Sequence, residues 1–131
     1  GGNPVACAAG LAVLDVLEDE GLIDNAGAIG RRVLQRLHSL QETHSVIGDV
    51  RGEGLFFGLD LVVDGESRKP AAQLAALVVN EMRRRGVLIS KIGEHDNVLK
   101  IRPPLCFSEA DADLLIGTLG ESLAAAASQL S

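Results

Sequence analysis

Arg102, in the segment VLKIRPP, is the residue whose type and position most clearly suggest a role in ligand binding. Apolar and charged residues alternate here, which predicts a strand with Leu99 and Ile101 on one face and Lys100 and Arg102 on the other. The two prolines that follow remove backbone donors and end this strand. Two interpretations stay open: Arg102 anchors a ligand, or it is a strand-end arginine that pairs with a surface carboxylate.

The glycine-rich segment GEGLFFG, at residues 52–58, resembles a nucleotide-binding loop only in composition. It enters a predicted strand, whereas the dinucleotide fingerprint leaves a strand and opens a helix. The segment therefore predicts a bulged strand start, where Gly58 allows close packing on one face. We interpret the neighbouring Arg51 as an exposed charge, and Asp60 as a residue that points to solvent.

The remaining reactive side chains do not form a catalytic or metal-binding pattern. Ser108 is explained as a helix N-cap, and the three histidines share no metal-ligand spacing. No catalytic residue and no metal ligand are therefore assigned. Cys7 and Cys106 lie far apart, without a CxxC motif, which predicts reduced core thiols in a cytoplasmic chain.

The composition excludes several partners. A net charge of −6 opposes phosphate binding over a broad surface, and three Phe with no Trp or Tyr cannot form a stacking platform. The basic run at residues 83–85 is explained as a solvated helix end. No apolar run is long enough for a membrane span. The 131 residues, 47% of them hydrophobic, predict one domain with its own core and neither nucleic acid nor membrane as a partner.

Helical periodicity marks four segments of the chain. The predicted helices cover about residues 3–20, 22–40, 70–85 and 109–127. Ile23 in the second helix and Leu114 in the fourth are predicted to face the core. Ser108 and Asp111 predict a capping box for the fourth helix, and Gly86 closes the third.

Strand periodicity fills the remaining segments. Apolar residues alternate from about Leu55 to Val63, and shorter strands are predicted at residues 87–89 and 98–102. Turns separate them at residues 64–67 and 93–97. The order of elements predicts an α+β fold, with helices packed on a small, largely antiparallel sheet.

Four motifs in order carry a resemblance to a known family. They are GGNP at residues 1–4 with the Ala-rich segment that follows, VRGEGLFFGL at 50–59, RGVL at 85–88 and LKIRPPL at 99–105. Together they resemble class III aminotransferases, the pyridoxal-phosphate enzymes of the ω-amino-acid type. The resemblance covers the whole chain. It implies a single domain, the C-terminal small domain of a fold-type I enzyme. Residues 1–45 would be a helical segment linking to a missing N-terminal large domain, and residues 46–131 the sheet and its helices.

The resemblance also implies roles for individual residues. Arg102 matches the arginine before Pro-Pro that commonly binds the substrate carboxylate in this family. Gly1, Gly2 and Asn3 lie at the edge of the segment that contacts the cofactor phosphate across a homodimer, so they are candidate cofactor-binding residues that act indirectly.

The family's cofactor chemistry needs a lysine that holds pyridoxal phosphate as a Schiff base and an acid beside its ring nitrogen. In the family both lie in the large domain. Lys69, Lys91 and Lys100 match no part of that lysine motif. We therefore expect the 131 residues alone to be inactive and to bind no pyridoxal phosphate.

The function implied is transfer of an amino group from an amine or ω-amino acid to an oxo acid, with Arg102 anchoring a substrate carboxylate. The segment NVLKIRPPLCF is also similar to the branch of alanine–glyoxylate-type transaminases and amino-alcohol-phosphate phospholyases, so either chemistry stays open. Some members of that branch lack the arginine, and its presence here favours a transaminase with a carboxylate substrate. The alternative from another class is a free-standing α+β module that binds a small ligand or a protein partner.

Overall fold

The structure, a computed structural model, describes residues 20–131. Its helices are α1 (Glu20–Thr43), α2 (Ala72–Arg84) and α3 (Glu109–Leu130). Its strands are β1 (Ile47–Glu53), β2 (Phe56–Leu61), β3 (Ser90–Ile92) and β4 (Val98–Ile101). This order confirms the predicted α+β fold. The helix predicted to begin at Asn3 lies outside the described residues, and the division of the chain at residue 45 stays a prediction.

The four strands form one antiparallel sheet in the order β1-β2-β4-β3. Leu59 in the middle of β2 lies opposite Val50 of β1 and Leu99 of β4. Residues that lie opposite each other in an antiparallel sheet point to the same side. The three side chains therefore belong to one apolar face, which we call the core face, and all three are buried.

The three helices cover the core face because each presents an apolar stripe at helical spacing. α2 and α3 pack against each other, while α1 packs against β1 and α3. The fully buried side chains that join the layers are Val33, Leu37, Phe57, Leu59, Leu61, Val78, Met82, Leu99, Leu119 and Leu123. The opposite side of the sheet, called the outer face here, carries the alternate residues of each strand.

The segment at residues 52–58 contains a hairpin turn, at Gly54 and Leu55 between β1 and β2, rather than the predicted bulged strand start. Gly54 has φ +58°, a conformation that glycine adopts at little cost, and the chain reverses there from β1 into β2. The irregularity in the register lies earlier, between Ile47 and Asp49. The hairpin turn also meets α1, since a Cβ built on Gly30 would clash with the Gly54 carbonyl and lie 2.7 Å from its carbon.

The short strand predicted at residues 87–89 lies instead at Ser90–Ile92. The end of α2 explains the shift. Gly86 has φ +87° and closes the helix as predicted, and the backbone N–H of Val87 donates to the Met82 carbonyl at 2.9 Å. The backbone of Val87 is therefore used to cap α2, and pairing with β4 starts only at Ser90.

Three residues predicted to face the core are exposed: Ile23 (52%), Val63 (58%) and Leu114 (54%). Val63 lies beyond the end of β2, so the alternation no longer holds there. The neighbouring Val62 is buried instead. Leu114 falls outside the apolar stripe of α3, which runs through its neighbour Leu115 instead. Ile23 lies near the start of α1, ahead of the buried Ala26.

The local signals for helix ends and turns are confirmed. Ser108 accepts a hydrogen bond from the Asp111 N–H at 3.1 Å, and the Asp111 carboxylate accepts one from the Ser108 N–H at 3.0 Å. This is the predicted capping box. The turn at residues 64–67 is held by the Asp64 carboxylate, which accepts from the N–H groups of Glu66 and Ser67. α2 starts at Ala72, two residues after Pro70.

Glu81 of α2 is a buried carboxylate that connects α2 to the end of α3. It accepts hydrogen bonds from Arg85, from Arg84 at 3.2 Å and, across the helix pair, from the Gln129 amide at 2.8 Å. The hydrogen bond from Arg85 lowers the pKa of Glu81 below 4.5, against the opposing effect of burial. Two of the three arginines at and just beyond the end of α2 thus bind an acid of that helix.

Acidification is expected to release this contact. Because the pKa of Glu81 is lowered on folding, its stabilisation is complete above 4.5 and is lost as the pH falls through the lowered value. We expect Glu81→Gln to lower Tm at pH 7 by several degrees and to flatten the fall of Tm below pH 4.5. Thermal unfolding from pH 7 to pH 3 measures both effects. Glu42→Gln, which changes an exposed acid on α1, is the control, and an equally steep acid dependence in Glu81→Gln would contradict the account.

Cys106 is disulfide-bonded in the structure, and residues 20–131 hold no free cysteine. The prediction of a reduced thiol is therefore wrong for Cys106, and the cytoplasmic location that it supported stays a prediction.

Across α1, α2 and α3, no helix combines the length and hydropathy needed to cross a bilayer.

Candidate functional site

Arg102 follows β4 directly and lies on the outer face with Lys100, as the alternation of residues predicts. Leu99 and Ile101 are buried on the core face. The buried Pro103 comes next, outside the strand, which confirms that β4 ends before the prolines. The position of Arg102 is thus confirmed, whereas its role in binding a carboxylate stays a prediction.

Phe56, at the start of β2, brings the two cations of β4 to one place. The Arg102 guanidinium carbon lies 5.4 Å from the centre of the Phe56 ring, and the Lys100 ammonium nitrogen lies 5.7 Å from it. Both distances are within the range of cation–π attraction. Phe57 lies opposite Ile101, so one step further along the strands sets Phe56 beside Arg102. The structure therefore assembles a cationic and aromatic cluster from two strands, defined by Phe56, Lys100 and Arg102.

A second charged cluster lies on the same face, around Arg51 of β1. The Arg51 guanidinium contacts the Asp49 carboxylate at 2.7 Å and the Asp60 carboxylate at 2.8 Å. The hydrogen bonds to Asp60 and then to Asp49 raise the pKa of Arg51. Gly58 lies opposite Arg51 in the register, and a Cβ on it would be 3.4 Å from the guanidinium. The close packing predicted at Gly58 is therefore made by an arginine side chain.

Asp60 does not point freely to solvent as predicted. It lies on the face opposite Leu59 and Leu61, as the alternation required, but there it is half-buried and bound to Arg51. Because two carboxylates neutralise it, Arg51 is poorly suited to hold an anionic ligand.

A shallow depression of about 260 Å³ lies between the two clusters. Its lining combines apolar side chains with charged ones at the rim: Arg51, Gly52, Glu53, Phe56, Phe57, Gly58, Ile92 and Val98. Phe56 belongs both to this lining and to the cationic cluster. Lys100 and Arg102 are not among the lining residues, so the depression meets the cationic cluster at Phe56.

Gly1, Gly2 and Asn3, the candidate cofactor-binding residues, lie outside the described residues, so their role stays a prediction. Within residues 20–131 no group of three or more His, Cys, Asp or Glu side chains is placed to hold a metal ion.

The sequence interpretation did not identify Phe56 as a partner of Arg102. The signal that could have found it is the register of β2 on β4, which places the two residues side by side.

The chain matches the family model described as aminotransferase class-III over residues 1–123. It is 45% identical over 123 residues to "Alanine--glyoxylate aminotransferase 2 homolog 2, mitochondrial" of Arabidopsis thaliana, covering 94% of this chain and 26% of that protein. It is 46% identical over 110 residues to "Ethanolamine-phosphate phospho-lyase homolog 1" of Caenorhabditis elegans, covering 83% of this chain and 24% of that protein. The chain thus spans about a quarter of the length of these curated relatives.

A solved structure of a similar protein shares the fold of this chain. The phospholyase from Arthrobacter in complex with phosphoethanolamine aligns with a TM-score of 0.81 and 48% sequence identity, over 89% of this chain and 28% of that one. The similarity extends over most of this chain and supports a common architecture.

Proposed function

The chain belongs to the class-III aminotransferase family, and from that premise we propose that the protein containing it transfers an amino group from an amine or ω-amino acid to an oxo acid. The sequence similarity to an alanine–glyoxylate aminotransferase homologue supports this reaction. The free-standing ligand-binding or protein-interaction module, the alternative from another class, has no comparable support.

The observation that carries the proposal is the position of Arg102 at the end of β4. Its guanidinium lies on the outer face of the sheet, over the ring of Phe56 at 5.4 Å. A guanidinium donates two parallel hydrogen bonds to a carboxylate, and a side chain that is already positioned loses less freedom on binding. In this proposal Arg102 binds the substrate carboxylate and thereby orients the other end of the molecule toward the reacting centre.

Pyridoxal phosphate supplies the electron-withdrawing ring on which the amino group is exchanged in this family. The described residues do not fit a site for it. Lys69 is exposed, Lys91 pairs with Asp96 at 3.5 Å, and Lys100 lies over Phe56. We propose that the lysine and the acid for the cofactor come from another part of the protein, which assembles as a homodimer with the outer face of this sheet turned toward substrate.

An assay of amino transfer by the complete protein tests the reaction. The protein, loaded with pyridoxal phosphate, is incubated with an ω-amino acid and an oxo acid, and the aminated product is measured by mass spectrometry. We expect amino transfer that requires both substrates. A protein that is folded and loaded, yet transfers no amino group from any of a panel of amines and ω-amino acids, would contradict the proposal.

A second candidate reaction is the elimination of phosphate from an amino-alcohol phosphate. Lys100 and Arg102 support it, because a phosphate, like a carboxylate, can accept charge-assisted hydrogen bonds from cationic side chains. The similarity to two phospholyases also supports it. Incubation with phosphoethanolamine distinguishes the candidates, since inorganic phosphate released without an oxo acid identifies the phospholyase and its absence favours the transaminase.

A polypeptide limited to these 131 residues is expected to show neither activity. The reason is that none of its three lysines lies in a site suited to the cofactor. Visible absorption spectra with added pyridoxal phosphate measure binding, and we expect no stable protein-bound band. A stable band that disappears in Lys69→Ala, Lys91→Ala or Lys100→Ala would overturn this expectation and place the cofactor lysine within the chain.

A further inference from the structure

The outer face of the sheet is open to solvent within the part of the chain that the structure describes. The helices cover the core face, whereas every outer-face residue of the four strands except Gly58 is exposed or half-buried. An antiparallel sheet with one face in water usually carries polar side chains on that face. Phe56 and Ile92 depart from this pattern, since each is 41% exposed. Apolar side chains grouped on an open face mark an interaction surface.

Phe56 and Ile92 line the same depression of about 260 Å³, together with Val98 and Gly58. Ile92 of β3 lies opposite Val98 of β4, so these two side chains point to the same side of the sheet. The depression therefore extends from β2 across β4 to β3. A concave apolar site of this kind suits an apolar side chain that projects from a facing segment.

The charges beside the depression are compensated within this chain. The Arg51 guanidinium contacts the Asp49 carboxylate at 2.7 Å and the Asp60 carboxylate at 2.8 Å. The depression therefore does not require a charged ligand to neutralise Arg51. An apolar centre with polar groups around it is the composition of a surface that packs against protein.

The size of the outer face indicates what kind of partner it fits. The sheet has four strands, and β2 has six residues. At about 4.8 Å between strands and about 3.4 Å per residue, the face measures roughly 300–400 Å². Packing against it would bury roughly 600–800 Å² in total, which fits an interface between parts of one chain and is below the about 1,200 Å² of a stable association. A covalent link provides the high local concentration that such a small interface needs.

We propose that the outer face around Phe56, Gly58 and Ile92 is the surface on which another part of the same polypeptide packs, with an apolar side chain in the depression. The length of the relatives supports this occupant, since the chain covers 26% of one and 28% of a solved structure. The inference rests on the proposed function, which places the lysine and the acid for the cofactor in that other part.

This packing leaves room for the proposed role of Arg102. Ile92 and Val98 lie at the start of β4, whereas Arg102 follows its last residue, roughly 14 Å further along the strand. The face can therefore pack against protein at one end and border the substrate at the other.

The first test measures protection of Ile92 in the complete protein. Ile92→Cys and Leu114→Cys are made separately, and the reaction of each new thiol with N-ethylmaleimide is followed by peptide mass spectrometry. Ile92 is 41% and Leu114 54% exposed in this chain, so Leu114→Cys is the matched control on α3. Relative to the rate in urea, folding is expected to slow Ile92→Cys by about tenfold or more and Leu114→Cys by less than about threefold. If Ile92→Cys is slowed no more than Leu114→Cys, the inference is overturned.

A photo-crosslink identifies what covers the face and does not depend on the folding of Ile92→Cys. Ser90 is exposed and lies opposite Lys100 on the outer face, and it is replaced by p-benzoylphenylalanine in the complete protein. We expect irradiation to join it to a peptide outside these 131 residues, within a product of single-chain mass on a denaturing gel. A product of twice that mass would place a second copy on the face. That result, a crosslink confined to the 131 residues, or no crosslink would overturn the inference.

These measurements separate the inference from the proposed function, because neither needs a substrate. A complete protein that protects Ile92→Cys but transfers no amino group would contradict the proposed function and support the packing surface. Amino transfer by a protein in which Ile92→Cys is unprotected would support the proposed function and overturn the packing surface.

Discussion

In the complete protein, Arg102→Ala is expected to reduce kcat/KM for a carboxylate-bearing donor. The expected loss corresponds to about 2–5 kcal/mol of transition-state stabilisation. The loss is large because the substrate carboxylate, once removed from water, would be left without its charged partner. Arg102 lies at the end of β4 beside the ring of Phe56. Because the strand fixes the backbone there, we expect no movement of the chain that would bring another donor to the place of the guanidinium. Steady-state kinetics with a series of ω-amino acid concentrations measure the effect.

Arg102→Lys is the matched variant for charge. A lysine keeps the positive charge but lacks the planar fork that donates two parallel hydrogen bonds. We expect it to recover part of the loss seen in Arg102→Ala and to remain well below the wild type. Complete recovery in Arg102→Lys would show that charge alone is sufficient, and that the bidentate geometry proposed for this arginine is wrong.

Gly30→Ala is expected to lower the free energy of unfolding by about 2–3 kcal/mol. Gly30 is buried in α1 where the helix meets the β1–β2 hairpin, and an added Cβ would clash with the Gly54 carbonyl. The neighbouring turn has little room to move, because Gly54 is held at φ +58° between two paired strands. The clash is with backbone atoms, so a change of side-chain rotamer cannot relieve it.

Gly27→Ala, one turn earlier in α1, is the control. A Cβ there would lie 3.6 Å from an Arg31 nitrogen, an ordinary contact at the end of a flexible side chain. Alanine favours the helix, so this variant is expected to be more stable by up to about 1 kcal/mol. Urea unfolding followed by circular dichroism measures both variants. If Gly30→Ala is as stable as Gly27→Ala, α1 does not approach the hairpin turn as described.

The parts of the fold that depend on local signals could be predicted from the sequence. Ser108 and Asp111 are three residues apart, and the capping box that they form needs no information from elsewhere in the chain. The same holds for Gly86 at the end of α2 and for the alternation that makes β4. The β1–β2 hairpin was missed although Gly54, the first of its two turn residues, is a hairpin signal, because no strand was predicted before it to pair with β2.

The candidate site could be predicted only in part, for a related reason. Alternation along β4 places Arg102 on the outer face, and the family resemblance gives it a role. Its contact with Phe56 depends on how β2 and β4 pair, and those strands are separated by α2 and β3. The pairing of Asp60 with Arg51 likewise depends on the register of β1 and β2. Contacts between strands follow from the register, which alternation within one strand does not fix.

The most direct test of the central claim, that Arg102 binds a substrate carboxylate, compares two donors that differ only in that group. Single-turnover rates of amino transfer are measured for an ω-amino acid and for the alkyl amine of equal chain length, in the complete wild-type protein and in Arg102→Ala. The account predicts that Arg102→Ala abolishes most of the preference for the ω-amino acid, while the alkyl amine reacts at nearly the wild-type rate. Equal losses for the two donors would contradict it and would leave Arg102 a structural residue at the end of β4.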